Sequence, residues 1–181
     1  MEPKNVLLFA FANSDPKWGN YLRHLNNEQH ALRDLFRPLE QRGKCSYIER
    51  ANAGIDEIVK VLDDKDYQGN IAILHFAGHG DTEFIQAQGL DNRPELLDMD
   101  RFAEYLGLAR CPHLVFLNAC WSAAHARKLH EVGVACIIGT ESAVGDEIAT
   151  EFAEGFYRAI VDGKTISDAF DRATLNIEGS R

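Results

Sequence analysis

Five short strand-like segments, each followed by a longer segment with helical periodicity, constrain the fold of this chain more than any other feature. The predicted strands are residues 5–12, 45–50, 70–77, 113–119 and 134–140. The first and the third are almost entirely apolar, which is typical of strands that are covered on both faces. Because strands that alternate with helices form βαβ units, the sequence predicts a mostly parallel sheet with helices on both faces.

Apolar residues that recur every three or four positions predict the helices between these strands. The predicted helical segments are the stretch from Leu32 to Leu39, residues 55–62, a stretch around residues 102–106 that Asp98 or Asp100 caps, and residues 122–133, 146–162 and 165–177. Pro38 should kink or shorten the first of them. We expect one three-layer α/β/α domain over residues 1–181, with a sheet of five or more strands in the order 2-1-3-4-5.

The composition is that of an ordinary globular protein and argues against several classes of partner. The net charge of −9 argues against direct binding of nucleic acid or an anionic membrane. No segment reaches the roughly 18 apolar residues that cross a bilayer, and the start of the chain lacks a signal-peptide cleavage pattern. The four cysteines form no CxxC pair, which indicates free thiols in the reducing cytoplasm.

Two reactive side chains follow adjacent strands of the predicted sheet, at the edge where open α/β sheets bind their ligands. The third strand ends in "AGHGD", which presents His79 between Gly78 and Gly80, and the fourth ends in "NACWSA", which presents Cys120. A thiol that gives its proton to a nearby imidazole is a nucleophile for acyl transfer. The sequence therefore predicts a catalytic dyad of His79 and Cys120.

Backbone groups and loops beside the dyad complete the predicted site. Gly80 has no Cβ, so a substrate carbonyl can approach its N–H, and the N–H groups of Gly80 and Cys120 are predicted to form an oxyanion hole. Gly78 is expected to turn the chain out of the sheet. Cys120 also precedes a predicted helix, whose partial positive charge favours a thiolate. The long segments from Asn13 to Gln29 and from Asp81 to Asp98 are expected to form a substrate-facing rim.

His75 lies within the third strand, four residues before His79, and we interpret it as a hydrogen-bonded core histidine. The alternatives are that it orients the dyad, or that it binds a metal together with His79 and Cys120. The metal site is disfavoured because histidines at this spacing bind zinc when the segment is helical. Asn118 is expected to hold the turn before Cys120. The sequence predicts no metal and no cofactor.

The segments "HFAGHGD" and "LVFLNACWSA" resemble the motifs of CHAT domains, the caspase-like cysteine protease domains of the caspase–separase superfamily. The similarity extends through "IIGTESAVGDEIATEFAEGFYRAIVDGKTISDAF" and to the opening "VLLFAFANSD". It implies a caspase-like fold, which is related to the flavodoxin-like arrangement, and it assigns the dyad to His79 and Cys120. The caspase signature "QACRG" is absent, so the resemblance does not imply cleavage after aspartate.

This resemblance implies a cysteine endopeptidase that cleaves a protein or peptide substrate, as a regulated effector in bacterial (including antiviral) defence or cell-death signalling. CHAT domains are often modules of larger proteins, so the implied regulator is a sensor, repeat or ATPase module in cis or in trans. The alternative is a catalytically silent signalling or scaffold module with the same fold. A glutaminase-like hydrolase is disfavoured, because that class has a glycine-flanked nucleophile and a histidine later in the chain.

Charged residues near the dyad predict the substrate preference. Asp81, Asp146 and Glu147 are candidate ligands of a basic side chain, and Trp121 is a candidate wall of the substrate pocket. We expect cleavage after Arg or Lys, because a carboxylate in a partly buried pocket pairs best with a cation. A small or apolar residue at that substrate position is the alternative if these carboxylates only cap a helix.

Overall fold

The computed structural model of the protein describes residues 5–18 and 21–179, which form two sheets and six α-helices. The strands, in chain order, are β1 (Asn5–Phe11), β2 (Cys45–Ala51), β3 (Ile71–Ala77), β4 (His79–Gly80), β5 (Ile85–Gln88), β6 (Pro94–Leu97), β7 (Leu114–Asn118) and β8 (Cys136–Ile138). The helices are α1 (Leu25–Gln41), α2 (Ile55–Leu62), α3 (Met99–Leu108), α4 (Ala126–Glu131), α5 (Asp146–Val161) and α6 (Ile166–Gly179).

The main sheet has five parallel strands in the order β2-β1-β3-β7-β8. Counted along the chain without the three short strands β4, β5 and β6, this order is 2-1-3-4-5, so the predicted topology is confirmed. The three interior strands, β1, β3 and β7, are buried on both faces, which explains why their sequences are apolar at consecutive positions.

Each face of the main sheet packs against its own helical layer. Along β1, Val6, Leu8 and Ala10 belong to the core that includes α2, α3 and α4. The alternate residues Leu7, Phe9 and Phe11 belong to the core with α1, α5 and α6. This alternation follows from the two-residue period of a strand, and it gives the three-layer α/β/α architecture that the sequence predicts.

The small sheet lies between β3 and α3, in a segment where the sequence shows no clear period. Strands β4, β5 and β6 pair antiparallel in that order. Asp98 then caps α3, because its carboxylate accepts hydrogen bonds from the N–H groups of Asp100 and Arg101, which confirms the first of the two predicted caps. The predicted rim segment from Asp81 to Asp98 thus contains β5 and β6, of four residues each.

Several element boundaries differ from the predictions. The helix after Cys120 is interrupted: a 3-10 turn spans Ser122–His125, and α4 contains only six residues. Pro38 does not end α1, because the helix continues to Gln41. The helix also begins at Leu25, seven residues before the predicted start at Leu32. The polar segment from Asn13 to Gln29 therefore includes the first turn of α1, and its residues 19 and 20 lie outside the described residues.

No helix in the described part of the chain is long and apolar enough to span a bilayer.

Candidate active site

The register between β3 and β7 brings His79 and Cys120 to the same edge of the main sheet. Ala77 is paired with Asn118 at the end of the ladder. His79 and Cys120 are each two residues beyond this last pair. The Gly78 N–H donates a hydrogen bond of 3.2 Å to the Asn118 carbonyl, so the two strands remain joined where the chain leaves the sheet. Both side chains line one narrow cleft.

Gly80 is required where it lies because the segment that carries Cys120 packs directly against it. A Cβ at Gly80 would lie 3.0 Å from the Ala119 Cβ and 3.0 Å from the Cys120 carbonyl oxygen. Contacts this short are unfavourable, so a side chain here would push the His79 and Cys120 segments apart. Gly78 has a similar constraint from the Ala12 carbonyl oxygen at 3.0 Å. Close approach, rather than a left-handed backbone, explains both glycines.

The pairing of β4 with β5 fixes the direction of the Gly80 N–H. The Asp81 N–H donates to the Phe84 carbonyl at 2.9 Å, and His79 is opposite Gln86 while Gly80 is opposite Ile85. In an antiparallel ladder, hydrogen-bonded and non-hydrogen-bonded pairs alternate. The Gly80–Ile85 pair is therefore of the second kind, and the Gly80 N–H points away from β5. This orientation leaves the group available to a ligand on the outer side of β4.

Val144 contacts the sulfur of Cys120 directly. Its N–H lies 3.5 Å from the Cys120 Sγ, and its carbonyl oxygen lies 3.7 Å from the same atom. Trp121, the next residue after Cys120, has a left-handed backbone with φ of 57° and donates its N–H to the Ser142 carbonyl. A non-glycine residue with positive φ is uncommon, and such residues concentrate at functional sites.

Hydrogen bonds from the end of β8 hold the Cys120 segment in place. The Thr140 hydroxyl donates to the Ala119 carbonyl at 2.7 Å, and the Thr140 N–H donates to the Ser122 hydroxyl at 3.1 Å. The buried Ser122 hydroxyl in turn donates to the Leu117 carbonyl at 2.9 Å. These bonds fix the chain on both sides of Cys120. The short helix predicted over residues 122–133 begins here as the 3-10 turn Ser122–His125.

The cleft that His79 and Cys120 share has a volume of about 40 Å³. Two carboxylate residues, Glu28 from α1 and Asp146 from α5, line it together with Asn118, and no Lys or Arg is among its described lining residues. A single water needs roughly 10–15 Å³ of such volume, so the cleft has room for about three waters. This space suits the reacting group of a substrate better than a long side chain.

Sequence reasoning missed Glu28. Its side chain is 1% exposed, and it lies on the buried stripe of α1 with Leu25, Leu32 and Phe36. A carboxylate on an apolar stripe is a signal of a buried polar contact, since such a group is rarely buried without partners. The signal was not visible because α1 was predicted to start near Leu32, which left Glu28 in a polar loop.

A buried hydrogen-bond network connects Glu28 to the floor of the cleft. The Asn118 side-chain amide donates to both Glu28 carboxylate oxygens, at 2.9 and 3.0 Å. His75 Nε2 lies 3.0 Å from Glu28 Oε1, and His75 Nδ1 lies 3.1 Å from the Tyr157 hydroxyl. The prediction that His75 is a hydrogen-bonded core histidine is confirmed, since it is fully buried. The Asn118 amide also donates to the Ala149 carbonyl at 3.3 Å, so this side chain ties the end of β7 to α1 and α5. Its role in the turn before Cys120 stays a prediction.

One arrangement of protons satisfies this network. Burial, followed by the nearby Glu28 and Tyr47, raises the pKa of Tyr157 well above its usual value, so its hydroxyl keeps its proton and can donate to His75 Nδ1. With its ring proton on Nε2, His75 accepts this bond at Nδ1 and donates from Nε2 to Glu28. The Glu28 carboxylate accepts from His75 and Asn118, which compensates its burial.

The predicted substrate-binding residues are not all at the cleft. Asp146 lines it, and one of its carboxylate oxygens accepts the His24 N–H at 2.7 Å. The Asp81 carboxylate accepts the N–H groups of Glu83 and Phe84 and so closes the turn between β4 and β5. Glu147 is exposed and does not line the cleft, and Trp121 is 42% exposed outside it. Of these four residues, Asp146 is the one that lines the cleft.

Metal ligands do not cluster in the described residues: no group of three His, Cys, Asp or Glu side chains there could hold an ion. Both ring nitrogens of His75 already have partners, Tyr157 and Glu28, so neither is directed at a metal ion. All four cysteines are free thiols.

A parallel α/β sheet with a histidine and a cysteine at the ends of adjacent strands is the arrangement of caspase-like proteins. The structure is similar to the crystal structure of the Drosophila initiator caspase Dronc, with a TM-score of 0.62 and 12% sequence identity, over 96% of this chain and 72% of the caspase chain. At this identity the similarity shows the fold alone.

The family follows from the sequence over nearly its whole length. The model of the CHAT domain family matches residues 2–181. The chain belongs to the CHAT domain family, and thereby to the superfamily of caspase-like cysteine proteases. No curated protein sequence matches the chain significantly.

Proposed function

We propose that the protein is a cysteine endopeptidase in which Cys120 is the nucleophile and His79 is the general acid and base. One observation supports this proposal above the others: Ala77 pairs with Asn118, so the two reactive residues leave adjacent strands at equal distance and line one cleft. A nucleophile and a base on neighbouring elements are the minimum that acyl transfer by a thiol requires.

The acylation step begins when His79 accepts the proton of the Cys120 thiol. The thiolate attacks the carbonyl carbon of the scissile peptide bond, a C–S bond forms, and the carbonyl electron pair moves to oxygen. The N–H groups of Gly80 and Cys120 stabilise this oxyanion, and the orientation of the Gly80 N–H away from β5 supports that role. The C–N bond then breaks, and His79 gives its proton to the departing amine.

In the deacylation step, His79 is first the base toward water and then the acid toward Cys120. His79 accepts a proton from a water molecule, whose oxygen attacks the carbonyl carbon of the thioester that Cys120 carries. The second oxyanion collapses, the C–S bond breaks, and His79 returns the proton to the thiolate. The products are a free carboxylate and the resting enzyme. No cofactor takes part in either step.

Cleavage of a proteome-derived peptide library tests this proposal. We expect new peptide termini with the wild-type chain and none above background with Cys120→Ala or His79→Ala, which keep the fold. The matched control is Cys111→Ala, because Cys111 is a thiol outside the cleft and should be dispensable. If no cleavage depends on Cys120, the catalytically silent signalling or scaffold module becomes the better account.

The cellular role is a separate part of the proposal. We infer a cytoplasmic, regulated effector of bacterial (including antiviral) defence or cell death, whose substrate is a protein and whose regulator is a sensor, repeat or ATPase module in cis or in trans. The family supports this role, and the four free thiols support a reducing compartment. Co-purification from the native host followed by mass spectrometry tests it; recovery of the protein without any such regulator would argue against it.

A further inference from the structure

An apolar pocket of about 260 Å³ adjoins the catalytic cleft on the side of β8. Its walls come from the ends of β7 and β8 and from α5 and α6, and its apolar lining includes Phe116, Ile138, Phe152, Phe170 and Ile177. An apolar cavity of about 150 Å³ is large enough to hold benzene. The pocket therefore has room for a complete Leu, Met or Phe side chain.

This pocket is continuous with the site of the nucleophile. Four residues line both the pocket and the cleft: Asn118, Thr140, Val144 and Ala149. Val144 is the closest link, because its backbone contacts the Cys120 sulfur while the same residue forms a wall of the pocket. A group held at the sulfur of Cys120 is thus one residue away from the mouth of the pocket.

We propose that this pocket binds the side chain of the substrate residue whose carbonyl Cys120 attacks, the P1 residue, and that it selects Leu, Met or Phe. The inference rests on the proposed function and adds the substrate class to it. An apolar side chain gains free energy in proportion to the apolar surface that it removes from water, and this pocket is lined mainly by aliphatic and aromatic carbon.

Charge does not favour a basic side chain in the same place. Glu141 is the charged residue among the described residues of the lining, and it is exposed, so a cation paired with it there would remain in water and gain little. The buried Glu28 carboxylate already accepts hydrogen bonds from His75 and Asn118.

Two tryptophan substitutions on α6 test the pocket without touching the dyad. Thr174→Trp places an indole at a half-buried position that lines the pocket. Leu175→Trp is the matched control, because Leu175 is 67% exposed on the same helix and does not line the pocket. Circular dichroism and thermal unfolding show that both variants fold before they are assayed.

The assay is cleavage of peptides that differ only at P1, with Leu, Met, Phe, Ala, Arg, Lys or Asp at that position. We expect the wild-type chain to prefer Leu, Met or Phe over Ala by at least about tenfold in kcat/KM, the discrimination that one or two methylenes provide in an apolar pocket. Thr174→Trp should remove most of this preference, whereas Leu175→Trp should keep it.

Each remaining outcome is decisive. Cys120-dependent cleavage that prefers Arg, Lys or Asp, or a Leu preference that Thr174→Trp leaves unchanged, overturns the pocket assignment and leaves the protease activity standing. The absence of any Cys120-dependent cleavage overturns the proposed function, and the pocket assignment with it.

Discussion

His75 and His79 are four residues apart on one strand and its exit, yet their surroundings are opposite. His75 is fully buried between Tyr157 and Glu28, and its ring stacks near Phe9. His79 is half-buried and lines the cleft with Cys120. The edge of the main sheet thus separates two positions: His75, inside the sheet, bonds to buried polar groups, and His79, just beyond it, lines the cleft.

The largest expected effect is the loss of activity on substitution of His79 or Cys120. His79→Ala and Cys120→Ala should each lower kcat/KM for a cleaved peptide by at least about 10³-fold, and the double variant should be no worse than either, because the two residues act as one unit. Steady-state kinetics on the three variants measure this. Losses that multiply in the double variant would show that the residues act independently.

Substitution of His75 should lower the stability of the protein. His75→Ala removes a partner of the buried Glu28 carboxylate, and we expect it to lower the free energy of unfolding by about 3 kcal/mol. Urea denaturation measures the loss, with His79→Ala as the matched control at less than about 1 kcal/mol. A His75→Ala protein that is fully stable but inactive would reverse the assignment of the two histidines.

The energetic coupling between Glu28 and His75 tests whether their hydrogen bond, and not only their packing, stabilises the protein. Glu28→Gln removes the negative charge but keeps the side-chain shape, and it should cost about 2 kcal/mol of stability. In a double-mutant cycle, Glu28→Gln and His75→Ala should be non-additive by about 1 kcal/mol or more, because the side chains are in contact. Additive losses would show that the hydrogen bond between them contributes nothing.

The main sheet and the positions of His79 and Cys120 at its edge were predictable from the sequence, because both depend on local patterns. The apolar strands gave the order of the sheet, and the motifs around His79 and Cys120 fall where β3 and β7 end. Sequence patterns do not report which segments pack together over long distances. Glu28 lies 90 residues from Asn118 in the chain, so its contact with the cleft could not be inferred.

The small sheet, the turn at Cys120 and the hydrogen bonds of Asp81 were not predicted, because each lies in a short irregular segment. The small sheet contains strands of only two to four residues, too few for a period to appear. The turn at Cys120 is held by hydrogen bonds with Thr140 and with the Ser142 carbonyl, and both residues come about 20 positions later in the chain. The carboxylate of Asp81 was assigned to substrate binding, and the structure shows it bonded within its own turn.

Two half-buried thiols outside the cleft should react more slowly than Cys120. Burial raises the pKa of Cys111 and of Cys136, so at pH 7.5 each has less thiolate than an ordinary cysteine and reacts more slowly. We expect iodoacetamide in limited amount to label Cys120 at least about tenfold faster than either. Labelling of Cys111 and Cys136 should increase only at higher pH. Faster labelling of Cys111 at pH 7.5 would contradict the assignment.

The smallest expected effect concerns Asp81. Asp81→Ala removes two hydrogen bonds from the turn between β4 and β5 and should cost about 1 kcal/mol of stability, without changing the preference at P1. Glu147→Gln is the control and should change stability by less than about 0.5 kcal/mol, since Glu147 is exposed. A changed P1 profile in Asp81→Ala would place this carboxylate in the substrate pocket after all.

The most direct test of the account is covalent capture of the nucleophile by a peptidyl acyloxymethyl ketone, read by intact-protein and peptide mass spectrometry. The reagent reacts efficiently with a thiol that is both activated and placed at a peptide-binding site. The account predicts one adduct per chain on Cys120, none with Cys120→Ser, and strongly reduced labelling with His79→Ala. An adduct on Cys45, Cys111 or Cys136, or labelling of Cys120 that does not depend on His79, would contradict it.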